Sequence, residues 1–123
     1  MRIIAGAHGS GKTYETIHAA AADPDGYYVC EDYRQLKFQS EEYADVIPKD
    51  RMLTYKQVPD ETKAPLNLYV DGMRHGQEIP SLWYTHHNLV TLAVSSKYAE
   101  ENLHLSDKYI QTVRDHFAMK RNT

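Results

Sequence analysis

One cysteine, Cys30, is the only thiol in the 123-residue chain, which excludes an internal disulfide framework. No apolar run reaches the roughly 20 residues needed to cross a bilayer, and no stretch reads as a signal peptide. The chain is therefore expected to be cytoplasmic, with no membrane segment. A surplus of positive charge is missing too. Fourteen Lys and Arg against 17 Asp and Glu leave a formal net charge of −3, which excludes a generally basic nucleic-acid coat but leaves local basic patches open. There is no internal repeat and no low-complexity tract. The length leaves room for one core and no separate substrate domain, so any lid or partner-binding part has to be small. Tyrosine, by contrast, is abundant, with ten residues. They are expected at half-buried positions, ring inside and hydroxyl wet, an interaction surface being the alternative.

The first thirteen residues are the most informative. A short apolar strand, Arg2-Ile3-Ile4-Ala5, runs into Gly6-Ala7-His8-Gly9-Ser10-Gly11-Lys12-Thr13, the full G-x-x-x-x-G-K-[ST] pattern. Glycines let the backbone turn tightly with its N–H groups inward, and the helix that follows adds a partly positive N-terminus, so the stretch predicts a concave anion site. Lys12 is expected to reach the β- and γ-phosphates of ATP, and Thr13 to offer its hydroxyl to Mg²⁺. Ala7, His8 and Ser10 are the other side chains around the phosphates, and a protonated His8 would add charge there. A Gly-rich surface turn is the bland alternative, and the agreement of strand, spacing, Lys-Thr pair and helix argues against it.

Helix is expected from Lys12 to Ala22, with Tyr14, Ile17 and Ala21 on one stripe, stopped by Asp23-Pro24-Asp25-Gly26. Tyr27–Cys30 then completes a strand-helix-strand unit of parallel crossover length, which gives the fold class α/β. Residues 31 to 50 are polar and poorly periodic, with a short helix expected from Glu41 to Val46 capped by Ser40. Arg51–Tyr55 reads as a strand and Pro59–Pro65 as a loop. Leu66–Asp71 is strongly β and ends in a carboxylate before Gly72. A short helix is expected near Pro80, and Leu89–Val94 is the clearest strand, running into Ser95-Ser96. Three near-continuous apolar strands predict a sheet covered on both faces. In the tail, Tyr109–Val113 fits helix or strand equally.

A strand ending in a carboxylate at the edge that holds the phosphate loop would bring Asp71 to the Mg²⁺ held by Thr13. Ser95 and Ser96 belong to the same edge, where either hydroxyl would sense the γ-phosphate or simply cap the next helix. Phosphoryl transfer also calls for a carboxylate that orients water; Glu78, Glu31 and Asp32 are the candidates, with Arg74 and Arg114 as candidate cations. His75, His86 and His87 lack the partner spacing of a zinc site.

With Gly6–Thr13, Leu66–Asp71 and Leu89–Ser96 in hand, the chain resembles P-loop NTPases through their Walker A and Walker B signatures. The stretch from Trp83 to Asn88 before the Leu89–Val94 strand, and Asp107-Lys108-Tyr109-Ile110 after it, resembles the ASCE branch, small zonula-occludens-toxin-like and FtsK/HerA-type assembly or packaging ATPases in particular. The resemblance implies a three-layer, mainly parallel sheet in a minimal single domain spanning residues 1–123. It also implies a further strand between the phosphate-loop strand and the metal strand, with Ser95 or Ser96 as sensor and Tyr109–Val113 as the last strand. Two departures stand out: Gly72 replaces the usual acid after the Walker B Asp, and the sensor is Ser rather than Gln.

The expected function is Mg²⁺-dependent ATP binding with slow or partner-activated hydrolysis, in a phage-like protein of the host cytoplasm that assembles with itself or with a protein or nucleic-acid partner. The loop residues Gly6 to Thr13 would bind the nucleotide, Thr13 and Asp71 the metal, and Lys12, Asp71, Ser95 and Ser96 would carry the chemistry. A small nucleoside or nucleotide kinase and a nucleotide-gated binding module with little hydrolysis are the alternatives.

Overall fold

Alternating strands and helices fold into an α/β domain. The computed structural model describes residues 1–7, 11–73 and 77–102. Five strands, β1 (Arg2–Ala5), β2 (Gly26–Cys30), β3 (Met52–Thr54), β4 (Asn67–Met73) and β5 (Asn88–Val94), form one sheet in the order β1-β5-β4-β2-β3. Every pairing is parallel. The strand that follows the glycine-rich loop in space is thus β5, which separates β1 from β4.

Helices cover both faces of this sheet, as the near-continuous apolar strands require. On one side α1 (Lys12–Ala22) and α2 (Tyr33–Glu42) bury Ile17, Ala20 and Leu36 against Tyr28, Cys30, Met52 and Tyr69. On the other, α3 (Leu82–Thr85) and α4 (Ser96–Asn102) bring Trp83, Tyr98 and Ala99 against Val29, Leu68 and Val70. Side chains that alternate along β2 and β4 therefore belong to different layers, the period-2 rule of a strand.

Several elements differ from the sequence expectation. The helix expected over Glu41–Val46 lies earlier, at Tyr33–Glu42, because Asp32 is its N-cap: the carboxylate accepts the Gln35 N–H at 2.9 Å. Ser40 sits inside the helix and donates to the Lys37 carbonyl. Leu36 is the only buried residue of α2, so no apolar stripe betrays the helix. In α1 the buried face is Thr16, Ile17 and Ala20, while Tyr14 is 56% exposed and leans on the rings of His18 and Tyr43. The strand expected over Arg51–Tyr55 shortens to Met52–Thr54, with Arg51 and Tyr55 in flanking 3-10 turns. β4 does not stop at Asp71 in an Asp-Gly turn; it continues to Met73, with Gly72 at φ +78° and a register shift against β5 between Asp71 and Met73. Residues 96–102 form α4, the helix that the capping alternative for Ser95 and Ser96 implies. The tail segment Tyr109–Val113 and Arg114 lie outside the described residues, as do Arg74 and His75.

The return from α1 to β2 is pinned by one cation. Arg51 donates from Nε to the Gly26 carbonyl at 2.9 Å and from its terminal nitrogen to the carbonyls of Ala20, at 2.7 Å, and Asp23. It thereby occupies carbonyls that the end of a helix leaves without intrahelical partners. Beside it Asp23 accepts from Tyr69, Asn67 and the Asp25 N–H. Burial pulls the Asp23 carboxyl up, but these bonds and the Arg51 charge outweigh it and hold the group below the usual carboxylate value. Gly26 has to be glycine here, since a Cβ would meet the Ala20 carbonyl oxygen at 2.5 Å. Replacing Arg51 by Met, which keeps the stem and removes the donors, is expected to cost about 2 kcal/mol. In urea unfolding this appears as a lower midpoint at unchanged slope.

Candidate phosphate and metal site

The carboxyl ends of parallel strands are where an open α/β sheet collects its ligands, and the residues singled out in the sequence gather there. β1 delivers Gly6 and Ala7 into the loop, whose tip, His8, Gly9 and Ser10, lies outside the described residues. Gly11 takes the left-handed conformation at φ +93° and is the N-cap of α1, its carbonyl accepting the Glu15 N–H at 3.0 Å. A side chain at that φ would be strained, which is why the motif needs glycine there. Lys12 turns back over the loop, with Nζ 2.7 Å from the Gly6 carbonyl and 2.8 Å from that of Ala7. These two oxygens hold the ammonium against the first residues of the loop.

Thr13 and Asp71, 58 positions apart, are in direct contact: Thr13 Oγ1 donates to Asp71 Oδ2 at 2.7 Å. The same oxygen accepts the Tyr28 hydroxyl at 2.7 Å. The backbone of Asp71 is tied as well, its carbonyl accepting the Tyr55 hydroxyl at 2.7 Å. Asp71 is buried, 8% exposed. Burial raises its pKa above the ordinary carboxylate value, against the hydrogen bonds from Tyr28 and Thr13 and the nearby charge of Lys12, all of which lower it. Burial, followed by the Asp71 charge, drives the Tyr28 phenol well above its usual value, so Tyr28 remains a hydrogen-bond donor. The sequence held no sign of Tyr28: a tyrosine in the middle of an apolar strand looks like core until the strand is set beside Asp71. Cys30, next along the same face, has its thiol pushed up to about 12 by burial and then by the charges of Asp71 and Asp32. That makes it a poor nucleophile.

Other carboxylates and hydroxyls separate by position. Glu31 directly follows β2 at this edge, where its backbone N–H meets the Gln35 amide oxygen at 3.3 Å and its carboxylate accepts from Gln77 at 3.3 Å. Asp32 is committed to capping α2. Glu78 is exposed. Its charge raises the pKa of Tyr98 on α4, second to burial. Ser95 lies just past β5, with its hydroxyl oxygen accepting the Tyr98 N–H at 3.0 Å and its carbonyl accepting the Ala99 N–H. It is the cap of α4, and its own proton remains available to donate. Ser96 begins that helix.

His86 is exposed and His87 is buried. His87 Nδ1 accepts the Leu66 N–H at 3.1 Å and Nε2 lies 2.6 Å from the Pro59 carbonyl. The ring is thus a strut between the 59–66 loop and the start of β5. Among the described residues no three His, Cys, Asp or Glu side chains gather as a metal cage. Thr13 and Asp71 instead offer the hard oxygen set suited to Mg²⁺, which takes one or two protein oxygens and completes its shell with phosphate and water. No helix in the described part is long and apolar enough to cross a membrane.

Because the raised pKa reflects a buried charge, Asp71 lowers stability at neutral pH; this penalty develops as pH rises from the ordinary carboxylate value through the raised one. Asp71→Asn is expected to melt higher than the parent protein at pH 7 without added metal, and to lose Mg²⁺ affinity by tenfold or more. In the parent, Mg²⁺ affinity falls on acidification at a higher pH than for an ordinary Asp. Calorimetry across pH with and without Mg²⁺ measures both, and a lower melting point for the Asn variant contradicts the assignment. Comparison with protein-family models, with curated proteins and with solved structures yields no match for this chain, so the fold and the site stand on the residues themselves.

Proposed function

We propose that the chain is a Mg²⁺-dependent ATP-binding protein of the P-loop NTPase class, ASCE-like, with slow or partner-activated ATPase activity. The observation that carries this reading is the 2.7 Å contact between Thr13 and Asp71. It joins the last residue of the glycine-rich motif to the carboxylate of a separate strand, with Lys12 beside them. The strand order supports the same reading, since β5 lies between β1 and β4 and brings Ser95 to the edge between loop and carboxylate. Thr13 and Asp71 would hold a Mg²⁺, which would offset the charge of the phosphates. Lys12 and the loop amides bind phosphate, Thr13 and Asp71 hold the metal, and Tyr28 keeps Asp71 oriented. Ser95 or Ser96 contacts the γ-phosphate.

Glu31 is assigned the water-orienting role. It leaves β2, the strand beside β4, at the same edge as Asp71, whereas Asp32 is spent on a cap and Glu78 follows no strand and is exposed. A nucleoside or nucleotide kinase is the second reading, favoured by one feature, the cavity that continues from Asp71 toward α2.

ATP binding and phosphate release by the purified protein, with Mg²⁺ and over a range of protein concentrations with and without DNA, test the reading. Lys12→Ala is expected to weaken ATP binding at least about tenfold, the loss of one charge-assisted hydrogen bond, with an unchanged circular dichroism spectrum. Unaltered affinity removes the phosphate-loop assignment. Glu31→Gln is expected to slow phosphate release about 100-fold while ATP affinity stays within a factor of two; release at the parental rate takes Glu31 out of the reaction.

A further inference from the structure

The cavity beside Thr13 and Asp71 encloses about 470 Å³, within the range of small-molecule sites, and extends well past the metal pair. Its far wall is Gln35 and Gln39 of α2 with Tyr43 at the end of that helix; Tyr14 of α1 and Tyr28 of β2 complete it. The charged lining residues, Lys12 and Asp71, both belong to the loop end, where Lys12 meets the Gly6 and Ala7 carbonyls and Asp71 meets Thr13 and Tyr28. Among the described residues the α2 end is lined by amides and phenols without a formal charge. A phosphate or carboxylate would find no counter-ion there, so the site favours a neutral ligand.

The side chains also specify its shape. The Gln39 amide presents a donor and an acceptor side by side, the pattern that pairs with the edge of a base, and Gln35, whose Oε1 already accepts the Glu31 N–H at 3.3 Å, adds its amide nitrogen as a donor. Tyrosine rings offer planar faces for stacking, worth ~1–3 kcal/mol per base. Tyr14 and Tyr43, with ring centroids 6.4 Å apart, both line the cavity beside the two amides, and His18, outside the lining, packs on Tyr14 at 4.0 Å. Tyr14 is 56% exposed although it lies on a helix that packs on the sheet, as a stacking face would be.

We propose that the α2 end of this cavity binds an uncharged nucleoside, at the same time as a nucleotide on the loop; only the second half of this statement rests on the proposed ATP site. Equilibrium dialysis of adenosine, guanosine, cytidine and thymidine against the full chain tests it, with and without a saturating non-hydrolysable ATP analogue and Mg²⁺. At least one nucleoside is expected to bind at one per chain, with an affinity that the analogue changes less than threefold. Gln35→Ala and Gln39→Ala, both with native circular dichroism, are expected to weaken that nucleoside tenfold or more and to shift analogue affinity less than twofold. Lys12→Ala is expected to lose the analogue and retain the nucleoside. Nucleoside binding in a chain that never binds ATP would leave this inference standing and sink the ATP reading. Absence of binding by all four nucleosides at millimolar concentration overturns the inference, as does displacement by the analogue, which would make the cavity the seat of the loop nucleotide's own base.

Discussion

A buried carboxylate has to be surrounded by donors, and at Asp71 two separate stretches of the chain meet that demand while a third ties the backbone behind it. Thr13 from the first turn of α1 and Tyr28 from the middle of β2 donate to the carboxylate, and Tyr55 from the turn after β3 donates to the Asp71 carbonyl. Each contact fixes the element that carries it. The Thr13 bond ties the first turn of α1 to β4, and the Tyr28 bond joins β2 to β4 on the face to which both side chains turn. The donors do not fully offset desolvation, since the carboxyl still has a raised pKa. The site is therefore held under electrostatic tension that a divalent cation would relieve, the condition expected of a functional group rather than a purely structural one.

The tyrosine content follows from the same constraint. Tyr28, Tyr69 and Tyr98 are buried, yet their hydroxyls are bonded to Asp71, Asp23 and the Gln77 carbonyl in turn. A ring buries as much apolar surface as a Phe would, while the hydroxyl ties a strand or helix to a fixed polar group. A small domain with a polar edge to organise gains both at one position. Tyr14, Tyr33 and Tyr84 are exposed instead, and of these Tyr14 lines the cavity.

Much of the fold was legible because its signals are local: Ile3-Ile4-Ala5, Val29, Leu68–Val70 and Leu89–Val94 are apolar runs bounded by turn residues, and their parallel arrangement follows from the helix between the first two. The motif at Gly6–Thr13 and the carboxylate of Asp71 were legible for the same reason. α2 was not, because it packs through Leu36 alone and its cap, Asp32, is one acid among several in a polar stretch. The cavity was also invisible. Gln35 and Gln39 acquire meaning only when α2 is set opposite Tyr14 and Tyr28, a juxtaposition made by the crossover and not by any spacing in the chain. Nor did the sequence divide Glu31 from Asp32. Only placement shows Asp32 as the cap of α2 and Glu31 as the carboxylate at the end of the neighbouring strand.

Gly72 keeps any side chain from standing directly after Asp71. Space is not what forbids a side chain at this position, since a Cβ there would meet nothing within 4 Å. The backbone forbids it: φ is +78°, a region in which an L residue other than glycine is strained. The same distortion appears as the register shift between Asp71 and Met73, which lets β4 stay paired with β5 beyond the carboxylate. An acid directly after Asp71 would require a different path for β4, and with it a different pairing at the end of β5, where Ser95 caps α4. Absence of a side chain directly after Asp71 and continuation of the strand past it are thus one structural choice. At the same edge β2 ends in the inert Cys30, and Glu31 is the first side chain beyond that strand.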